Sequence, residues 1–580
     1  MPAKTVNRLL DQLDELKREF GGRREQRVEG ILSRLARQKF RDAKSLIRFH
    51  EILLFIRAYP QTAEILRQVE RALPSFADRV KLLRDMGADL SPLDNPEVSG
   101  IAGTSVTDTF TYNIVHWLFE RHPTQVKLDW DWFEDENRLA ATWPRFMPLL
   151  EEDAFVEANV PYVEWLSAAS IKGRGMNEVA WLIQRFESLS APHEGCPRGD
   201  PAPLTERAEL YDSLKLYVRW TPSYKATRTE MKLPVREVYY HRQPLIQRRD
   251  ISLRAELESP PPALKRLSPR KGQAILDMTR ETSTMRYREL YGFTHGDVKR
   301  VFQVSIGRGV ALFVMGVPSG RRLPLRAYHA AMIFKNGVPV GYFEGLSLFE
   351  RMESGFNFYY SFREGETAWI YARTLNIFRH LLGVTAFSLD PYQIGYENEE
   401  GIESGAFWFY RKLGFRPTRP ELLKLTLAEE RKMSRRPSYR TSKAVLRRLA
   451  GGPMIFELDE SKVGDWDRFQ VRSIGLAVQR RMAAQFGGDG ERIRDASVQN
   501  VSRAGGIRIG NWSEVELSAL SDFAVVLDLI PDLNRWTENE RQAVVRIIRA
   551  KAGADEARYL KLMQGHRRLR AAMIKLGSGG

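Results

Sequence analysis

The chain has 580 residues, a formal net charge of +16 and a single cysteine, Cys196. A chain of this length exceeds what one hydrophobic core organises, so we expect about two to four domains. Its 43% hydrophobic and 28% charged residues are typical of a globular protein and exclude a largely disordered one. The lone cysteine excludes an intrachain disulfide and a thiolate cluster for zinc.

Three further exclusions narrow the class of protein. No apolar run approaches the ~20 residues that span a bilayer, and the first residues lack the apolar core of a signal peptide. We therefore expect a cytoplasmic protein without a membrane span. The histidines show no ligand spacing, so no metal is expected. The positive charge favours an anionic partner, which nucleic acid, acidic protein, CoA phosphates and membrane surfaces would all satisfy.

Residues 1–200 are predicted to form a helical domain. Leu9, Leu13 and Leu16 begin an amphipathic pattern that recurs in several short segments up to residue 90. Residues 188–203 have the composition of a linker. Residues 201–264 are an uncertain region with possible strands at 214–220 and 235–240. We place a domain boundary at 264, after the stiff triple proline at 260–262.

Residues 265–430 predict an α/β domain with a mixed, mostly antiparallel sheet and flanking helices. A helix is expected over 271–291, followed by two strands about Gly307-Arg308-Gly309. Two strands, 328–335 and 338–349, then flank Asn336-Gly337, the dipeptide that best tolerates the positive φ of a two-residue hairpin turn.

A second group of elements follows the hairpin. Alternating aromatic residues predict a strand over 355–362, and the loop 363–367 leads into a helix over 368–382 with Gly383 at its carboxyl end. A strand is expected over 384–390. An aromatic helix over 404–415 closes the block and is stopped by Gly414.

This block resembles a known family. The order hairpin, strand, glycine-containing loop, helix and strand, closed by Ala406-x-x-x-Tyr410-x-Lys412-Leu413-Gly414-Phe415, is similar to the acyl-CoA-dependent N-acyltransferases of the GNAT superfamily. Asn336-Gly337-Val-Pro-Val340-Gly341 likewise resembles the hairpin between the second and third strands of that fold. The resemblance covers well under half of the chain.

The resemblance implies an acyl-CoA cosubstrate, acetyl-CoA or another, and an amine acceptor. It implies that the cofactor pyrophosphate is held by the loop residues Arg363, Gly365, Glu366, Thr367 and Ala368. It also implies that Tyr410 protonates the departing CoA thiolate. The family pattern Arg/Gln-x-x-Gly-x-Gly/Ala is met imperfectly in either alignment. Aligning Arg363 and Ala368 puts Glu366 where a glycine belongs, and aligning Gly365 puts Phe362 and Thr367 at the outer positions.

The residues also support other interpretations. A loop before a helix leaves unpaired N–H groups that can bind an anion, but an ordinary capped helix has the same sequence pattern. Tyr410 is surrounded by apolar residues and fits a core position as well as a proton donor. Glu344 and Glu353 are candidate general bases, with Glu350 as a third, although strand-end glutamates are commonly solvated. Asp390 and Tyr392 are candidate wall residues.

Residues 431–580 are predicted to form a basic linker and a helical C-terminal domain. Residues 431–450 carry eight basic and no acidic residues, which could bind an anionic partner or form a solvated helix face. Residues 454–458 could form a short strand. Thr537 and Glu540 have the spacing of a helix capping box.

Three functions remain open at this point. The first is an N-acyltransferase that moves an acetyl or similar group from acyl-CoA to an amine. The second is a catalytically degenerate domain of the same kind that serves as a ligand-binding or interaction module, since Glu364 and Glu366 would repel a pyrophosphate. The third, based on charge alone, is a nucleic-acid-associated protein.

Overall fold

The computed structural model describes residues 3–132, 178–187 and 204–579. The predicted linker 188–203, with Cys196, lies outside the described residues, as do residues 133–177. The chain divides into two compact units. The first comprises Met1–Pro244 and Ala274–Thr294, and the second comprises Leu245–Gln273 and His295–Gly580. Residues 245–264, predicted to belong to the uncertain region, are therefore part of the second unit.

The first unit is mainly helical, as the leucine spacing predicts. Asp42 and Thr62 cap two of its helices by accepting hydrogen bonds from the amides of Ser45 and Ile65. The described helices of residues 1–244 are α1 Ala3–Leu16, α2 Arg23–Ala36, α3 Ala43–Ala58, α4 Ala63–Ala72, α5 Phe76–Asp85, α6 Tyr112–Arg121, α7 Glu178–Glu187 and α8 Leu204–Leu214.

A small antiparallel sheet completes the first unit. Its strands are β1 Val106–Asp108, β2 Val126–Leu128 and β3 Val218–Trp220, in the order β1-β3-β2. Trp220 is fully buried in the core that these strands share with α6 and α7. A strand was predicted here over 214–220, and only its last three residues pair. The strand predicted over 235–240 does not form, and this segment is irregular.

The second unit is built on one nine-stranded sheet in the order β11-β12-β10-β9-β8-β7-β6-β5-β4. Only the β9–β10 pair is parallel, so the predicted mixed, mostly antiparallel sheet is confirmed. The strands are β4 Leu264–Arg266, β5 Val301–Gly307, β6 Val310–Gly316, β7 Ala327–Lys335, β8 Val338–Leu348, β9 Arg351–Phe358, β10 Ala386–Leu389, β11 Arg416–Pro417 and β12 Met454–Glu457.

Both predicted hairpins form where the turn residues indicate. Asn336 and Gly337 have φ of 47° and 82°, the positive values that a tight two-residue turn requires. The turn between β5 and β6 likewise places Arg308 at φ 51° between two glycines. The amide of Asn336 donates to the carbonyl of Gly309 at 2.7 Å, so the tips of the two hairpins are joined.

The helices of the second unit lie before, between and after the strands of the large sheet along the chain. They are α9 Leu253–Glu258, then α12 Thr367–Leu382, α13 Glu399–Glu403, α14 Ala406–Arg411, α15 Pro420–Arg435, α16 Lys443–Leu449, α17 Val471–Phe486, α18 Gly490–Gly505, α19 Glu514–Leu527, α20 Glu538–Lys551, α21 Glu556–Gln564 and α22 Arg567–Gly577. Between β4 and β5 the chain forms α10 Pro269–Thr284, which is divided between the two units, and α11 Tyr291–Thr294, which belongs to the first unit. The capping box of Thr537 and Glu540 is confirmed.

Helix α12 covers the centre of one sheet face. Phe378 stacks on Phe343 of β8 with ring centroids 4.8 Å apart, and Tyr371 contacts Phe356 of β9 at the same distance. Gly383 ends the helix at φ 74°, in the left-handed conformation that glycine tolerates best. The packed aromatic face fixes where the amino end of α12 lies, immediately after β9.

Candidate functional site

The two parallel strands of the large sheet separate after a short paired stretch. β9 pairs with β10 only from Arg351↔Ala386 to Glu353↔Ser388. Farther along β9 the amide of Phe356 donates instead to the side chain of Gln393, at 3.0 Å. β9 therefore loses its neighbour on one side halfway along its length. The predicted wall residue Asp390 lies directly after β10, where it caps a short turn by accepting from the amide of Tyr392.

The loop after β9 and the first turn of α12 together contain the five residues predicted to hold a pyrophosphate. Thr367 and Ala368 are the first two residues of the helix, and the N-cap residue Glu366 makes no side-chain capping bond to it. The first amides of a helix have no intrahelical acceptor. Gly365 lies in the loop, and its amide donates to the carbonyl of Phe362 at 2.9 Å. Arg363 forms an ion pair with Glu400.

The carboxylate of Glu366 points into the protein rather than out of the loop. It is fully buried and lies 2.5 Å from the guanidinium of Arg308 and 3.3 Å from the ammonium of Lys335. The amide of Ile246 also donates to it, at 3.2 Å. Two cations therefore face one carboxylate beneath the loop. We call Arg308, Lys335 and Glu366 the buried triad.

The buried triad joins the loop to both hairpin tips. Lys335 is the last residue of β7, and its ammonium also donates to the carbonyl of Arg308. Burial lowers the pKa of Lys335 to about 8, even though the neighbouring carboxylate of Glu366 acts in the opposite direction. Lys335 is therefore a lysine whose charge is costly in the folded protein.

This lowered pKa predicts a rise in stability on mild alkalinisation. Unfolded lysine has a pKa of about 10.4, so between about pH 8 and 10 the unfolded chain binds more protons than the folded one. Deprotonation of Lys335 in the folded protein removes the cost of burying its ammonium. The free energy of unfolding therefore rises by about 3 kcal/mol over the whole interval. We expect the urea midpoint of the wild type to rise relative to that of Lys335→Met across this interval. Parallel pH curves for the two proteins would contradict this.

The two predicted general bases, Glu344 and Glu353, have different surroundings. Burial raises the pKa of Glu344, and the hydroxyl of Tyr328 donates to it. Among the described residues no cation lies within 4 Å of the Glu344 carboxylate. Glu353 lies 3.4 Å from Arg326 and 3.6 Å from Arg351.

The third candidate base, Glu350, is held by contacts with the C-terminal part of the chain. Its buried carboxylate forms an ion pair with Arg570 and accepts a hydrogen bond from the indole of Trp466 at 3.0 Å. These contacts anchor α22 to the end of β8. The Glu350 carboxylate is therefore engaged in contacts that hold the fold together.

Tyr410 lies in an aromatic cluster next to α12. Its ring is 5.5 Å from Tyr371 and 5.7 Å from Phe415, both in edge-on geometry. Burial raises the pKa of the Tyr410 phenol, so the group keeps its proton throughout the neutral range. Both of the properties considered for Tyr410, a core position and a protonated hydroxyl, are therefore present.

The sheet separates the candidate acid from the candidate bases. Glu344 and Glu353 belong to one face of the sheet, because neighbouring residues of a strand alternate between faces. Ser354 belongs to the other face, where its hydroxyl lies 2.9 Å from that of Tyr371, the ring neighbour of Tyr410. Tyr410 and Glu344 can therefore act on one substrate only across the gap between β9 and β10.

Three cations that are far apart in the sequence, and whose proximity was not predicted, act on one another in the second unit. Burial and the nearby charges of Arg248 and Arg440 lower the pKa of Lys412. None of the described residues places a carboxylate within 4 Å of these three side chains. Arg248 is two residues from Ile246, which bonds to Glu366. We call Arg248, Lys412 and Arg440 the basic cluster.

Long-range contacts assemble the basic cluster, so no local pattern could predict it. The indole of Trp408 donates to Thr441 at 3.2 Å and holds the segment of Arg440 beside α14. By contrast, other residues of the basic run 431–450 are neutralised nearby. Lys443 lies 2.9 Å from Glu403, Arg447 lies 2.8 Å from Glu399, and Lys432 lies 2.6 Å from Glu429.

None of the helices that the structure describes is long and apolar enough to cross a bilayer. In the same residues no cluster of three or more His, Cys, Asp or Glu side chains is arranged to bind a metal ion. Comparisons of the chain with protein-family models, with curated proteins and with solved structures found no match.

Proposed function

We propose that the second unit is an acyl-CoA-dependent N-acyltransferase that transfers an acetyl or similar group to an amine. The observation that carries the proposal is the combination of the β9–β10 gap with the uncapped amino end of α12 at its mouth. A helix amino end attracts anions through its unpaired amides and its dipole. A pantetheine-like chain could then extend from that end into the gap.

The charges near α12 support an anionic cosubstrate. Glu366, which would repel a pyrophosphate if it faced the loop surface, is neutralised by Arg308 and Lys335 below it. The basic cluster adds three cations without a nearby carboxylate. CoA carries a pyrophosphate and a third phosphate group, so an excess of positive charge at this end of the sheet favours its binding.

The chemistry requires one base and one acid. The amine nitrogen attacks the thioester carbonyl, the C–N bond forms, the C–S bond breaks, and the acyl group moves to the amine. We assign the base to Glu344, because burial raises its pKa, which favours proton uptake, and no cation of the described residues lies within 4 Å of its carboxylate. The carboxylate of Glu353 is instead paired with Arg326 and Arg351. The phenol of Tyr410 would supply a proton to the CoA thiolate.

A non-catalytic binding module is the second candidate function. It rests on the exposed Glu364, whose charge remains at the loop surface. Glu366 no longer supports this alternative, since its carboxylate is buried and paired. The nucleic-acid hypothesis keeps only the exposed arginines of the basic run. It would require a steep dependence of affinity on salt.

The proposal is tested by titrating the purified protein with acetyl-CoA in a calorimeter, with desulfo-CoA and adenosine diphosphate as reference ligands. We expect micromolar affinity for both CoA compounds. Removing one phosphate contact should weaken CoA binding about tenfold, since a charge-assisted bond is worth about 1.5–3 kcal/mol. This loss is expected for Arg248→Gln, Lys412→Gln and Arg440→Gln.

Lys443→Gln is the matched control, because it removes the same charge from an exposed lysine that is paired with Glu399 and Glu403. Its affinity should equal that of the wild type. Equal losses in all four variants would indicate only a general effect of net charge. No binding at millimolar acetyl-CoA would refute the acyltransferase and favour the binding module.

A further inference from the structure

A groove in the second unit is lined by residues of three consecutive helices, α20, α21 and α22. Its volume of about 460 Å³ is within the range of roughly 300–1,000 Å³ that is typical of small-molecule sites. Of the described residues that line it, four carry a positive charge and one a negative charge: Arg546, Lys561, Arg567, Arg568 and Glu540. The groove therefore has three positive charges in excess. It shares no residue with the basic cluster or the loop before α12.

Two of the polar groups in this groove are already engaged by the fold. The carboxylate of Glu540 accepts from the amide of Thr537 at 2.8 Å and from Arg568 at 3.3 Å, so its charge is balanced. His566 is buried, with Nε2 lying 3.0 Å from the carbonyl oxygen of Glu540 and Nδ1 accepting from the amide of Leu569 at 3.2 Å. These contacts join α20 to the beginning of α22 and hold two walls of the groove in place.

The three remaining cations of the groove, Arg546, Lys561 and Arg567, are exposed and come one from each helix. Within the part of the chain that the structure describes, no carboxylate lies within 4 Å of any of them. By contrast, Arg549, three residues from Arg546 on α20, lies 2.7 Å from Glu516. Three like charges around one groove repel one another, and an anion bound between them removes that repulsion. The distribution of charge therefore favours an anionic ligand.

We propose that this groove binds a small phosphate monoester, independently of the acyltransferase site. A phosphate monoester carries a charge of about −1.5 to −2 at neutral pH and three acceptor oxygens, so Arg546, Lys561 and Arg567 would each donate to it. A carboxylate has one charge and two oxygens, and would leave part of the positive charge unbalanced. The volume of the groove exceeds that of a phosphate group. The organic part of the ligand would therefore lie against the half-buried side chains of Ala543 and Leu562.

The test titrates the full chain with ribose 5-phosphate, ribonate and ribose, which share a sugar skeleton and differ in their anionic group. Calorimetry and saturation-transfer NMR report binding. We expect a Kd for ribose 5-phosphate of about 1 mM or tighter, with ribonate at least about fivefold weaker and ribose not bound at about 10 mM. Equal affinity for ribose 5-phosphate and ribonate would overturn the proposal, as would no binding of ribose 5-phosphate at about 10 mM. Binding only of an oligonucleotide with hydroxyl ends, which contains phosphodiesters alone, would refute the monoester and assign the groove to nucleic acid.

Two double variants locate the site. Lys561→Gln with Arg567→Gln removes two exposed cations of the groove and should weaken the binding of ribose 5-phosphate about tenfold or more. Arg558→Gln with Lys575→Gln removes the same charge from exposed cations of the same two helices, α21 and α22, that do not line the groove. Its affinity should stay within about twofold of the wild type, since only long-range charge is lost. Equal losses in the two double variants would show a general effect of net charge and refute the proposal. Undiminished binding by the first would place ribose 5-phosphate elsewhere and would also refute it.

Discussion

Glu366→Gln is expected to lower the free energy of unfolding of the second unit by about 3–5 kcal/mol, because it leaves the buried ammonium of Lys335 and the half-buried guanidinium of Arg308 without their carboxylate. Glu366 is fully buried between Arg308 and Lys335. Glutamine keeps the size of the side chain and can still accept from the amide of Ile246. The loss therefore reports charge rather than packing. Urea unfolding measures this loss of stability, and hydrogen exchange of peptides from β7 and β8 assigns it to the second unit.

Two neighbours provide matched controls for this prediction. Lys335→Met leaves Arg308 and Glu366 as a balanced pair, so we expect a change of about 1 kcal/mol or less near pH 7. Glu364→Gln removes an exposed charge from the same loop and should change stability by less than about 0.5 kcal/mol. A loss in Glu366→Gln no larger than that in Glu364→Gln would show that the buried triad does not stabilise the loop.

Tyr410→Phe is expected to lower the turnover number by about 100-fold or more while leaving the affinity for acetyl-CoA unchanged. The substitution removes the phenolic proton but keeps the ring that contacts Tyr371 and Phe415. A thiolate would then leave without a proton donor. Steady-state kinetics with a saturating amine, together with calorimetry of acetyl-CoA, separates the two quantities.

Tyr371→Phe is the control for Tyr410→Phe. Tyr371 is buried like Tyr410, and its hydroxyl is hydrogen-bonded to that of Ser354 at 2.9 Å. In the proposed mechanism Tyr371 donates no proton to the thiolate. We expect it to retain its turnover, with a loss of stability of about 1 kcal/mol from the missing hydrogen bond. Unchanged turnover in Tyr410→Phe would remove Tyr410 from the mechanism and leave it as a core residue.

Local signals in the sequence predicted the local structure well. The Asn336-Gly337 turn, the helix that ends at Gly383 and the Thr537 capping box are confirmed, because each depends on residues within a few positions. The strand predicted over 355–362 was displaced: β9 begins at Arg351 and ends at Phe358. The alternation of aromatic residues continued past its end, because Phe362 reaches the core from a 3₁₀ turn instead.

Long-range features of the candidate site could not be predicted. Arg308, Lys335 and Glu366 come from two hairpin tips and a loop, and nothing in their local sequence indicates that they meet. In the same way the basic cluster joins residues far apart in the chain. A lysine within a continuously buried strand was the one available hint, since such a charge requires a partner. The sequence alone did not say which carboxylate that partner is.

Strand β12 has a consequence for the order in which the second unit matures during synthesis. It lies between β10 and β11 and pairs with both, although β10 ends at Leu389 and β12 begins only at Met454. Until that later segment leaves the ribosome, β10 presents an open edge that can pair with another nascent chain. The helices between these strands in the sequence, α13 to α16, are therefore translated before the sheet beside β10 can be completed.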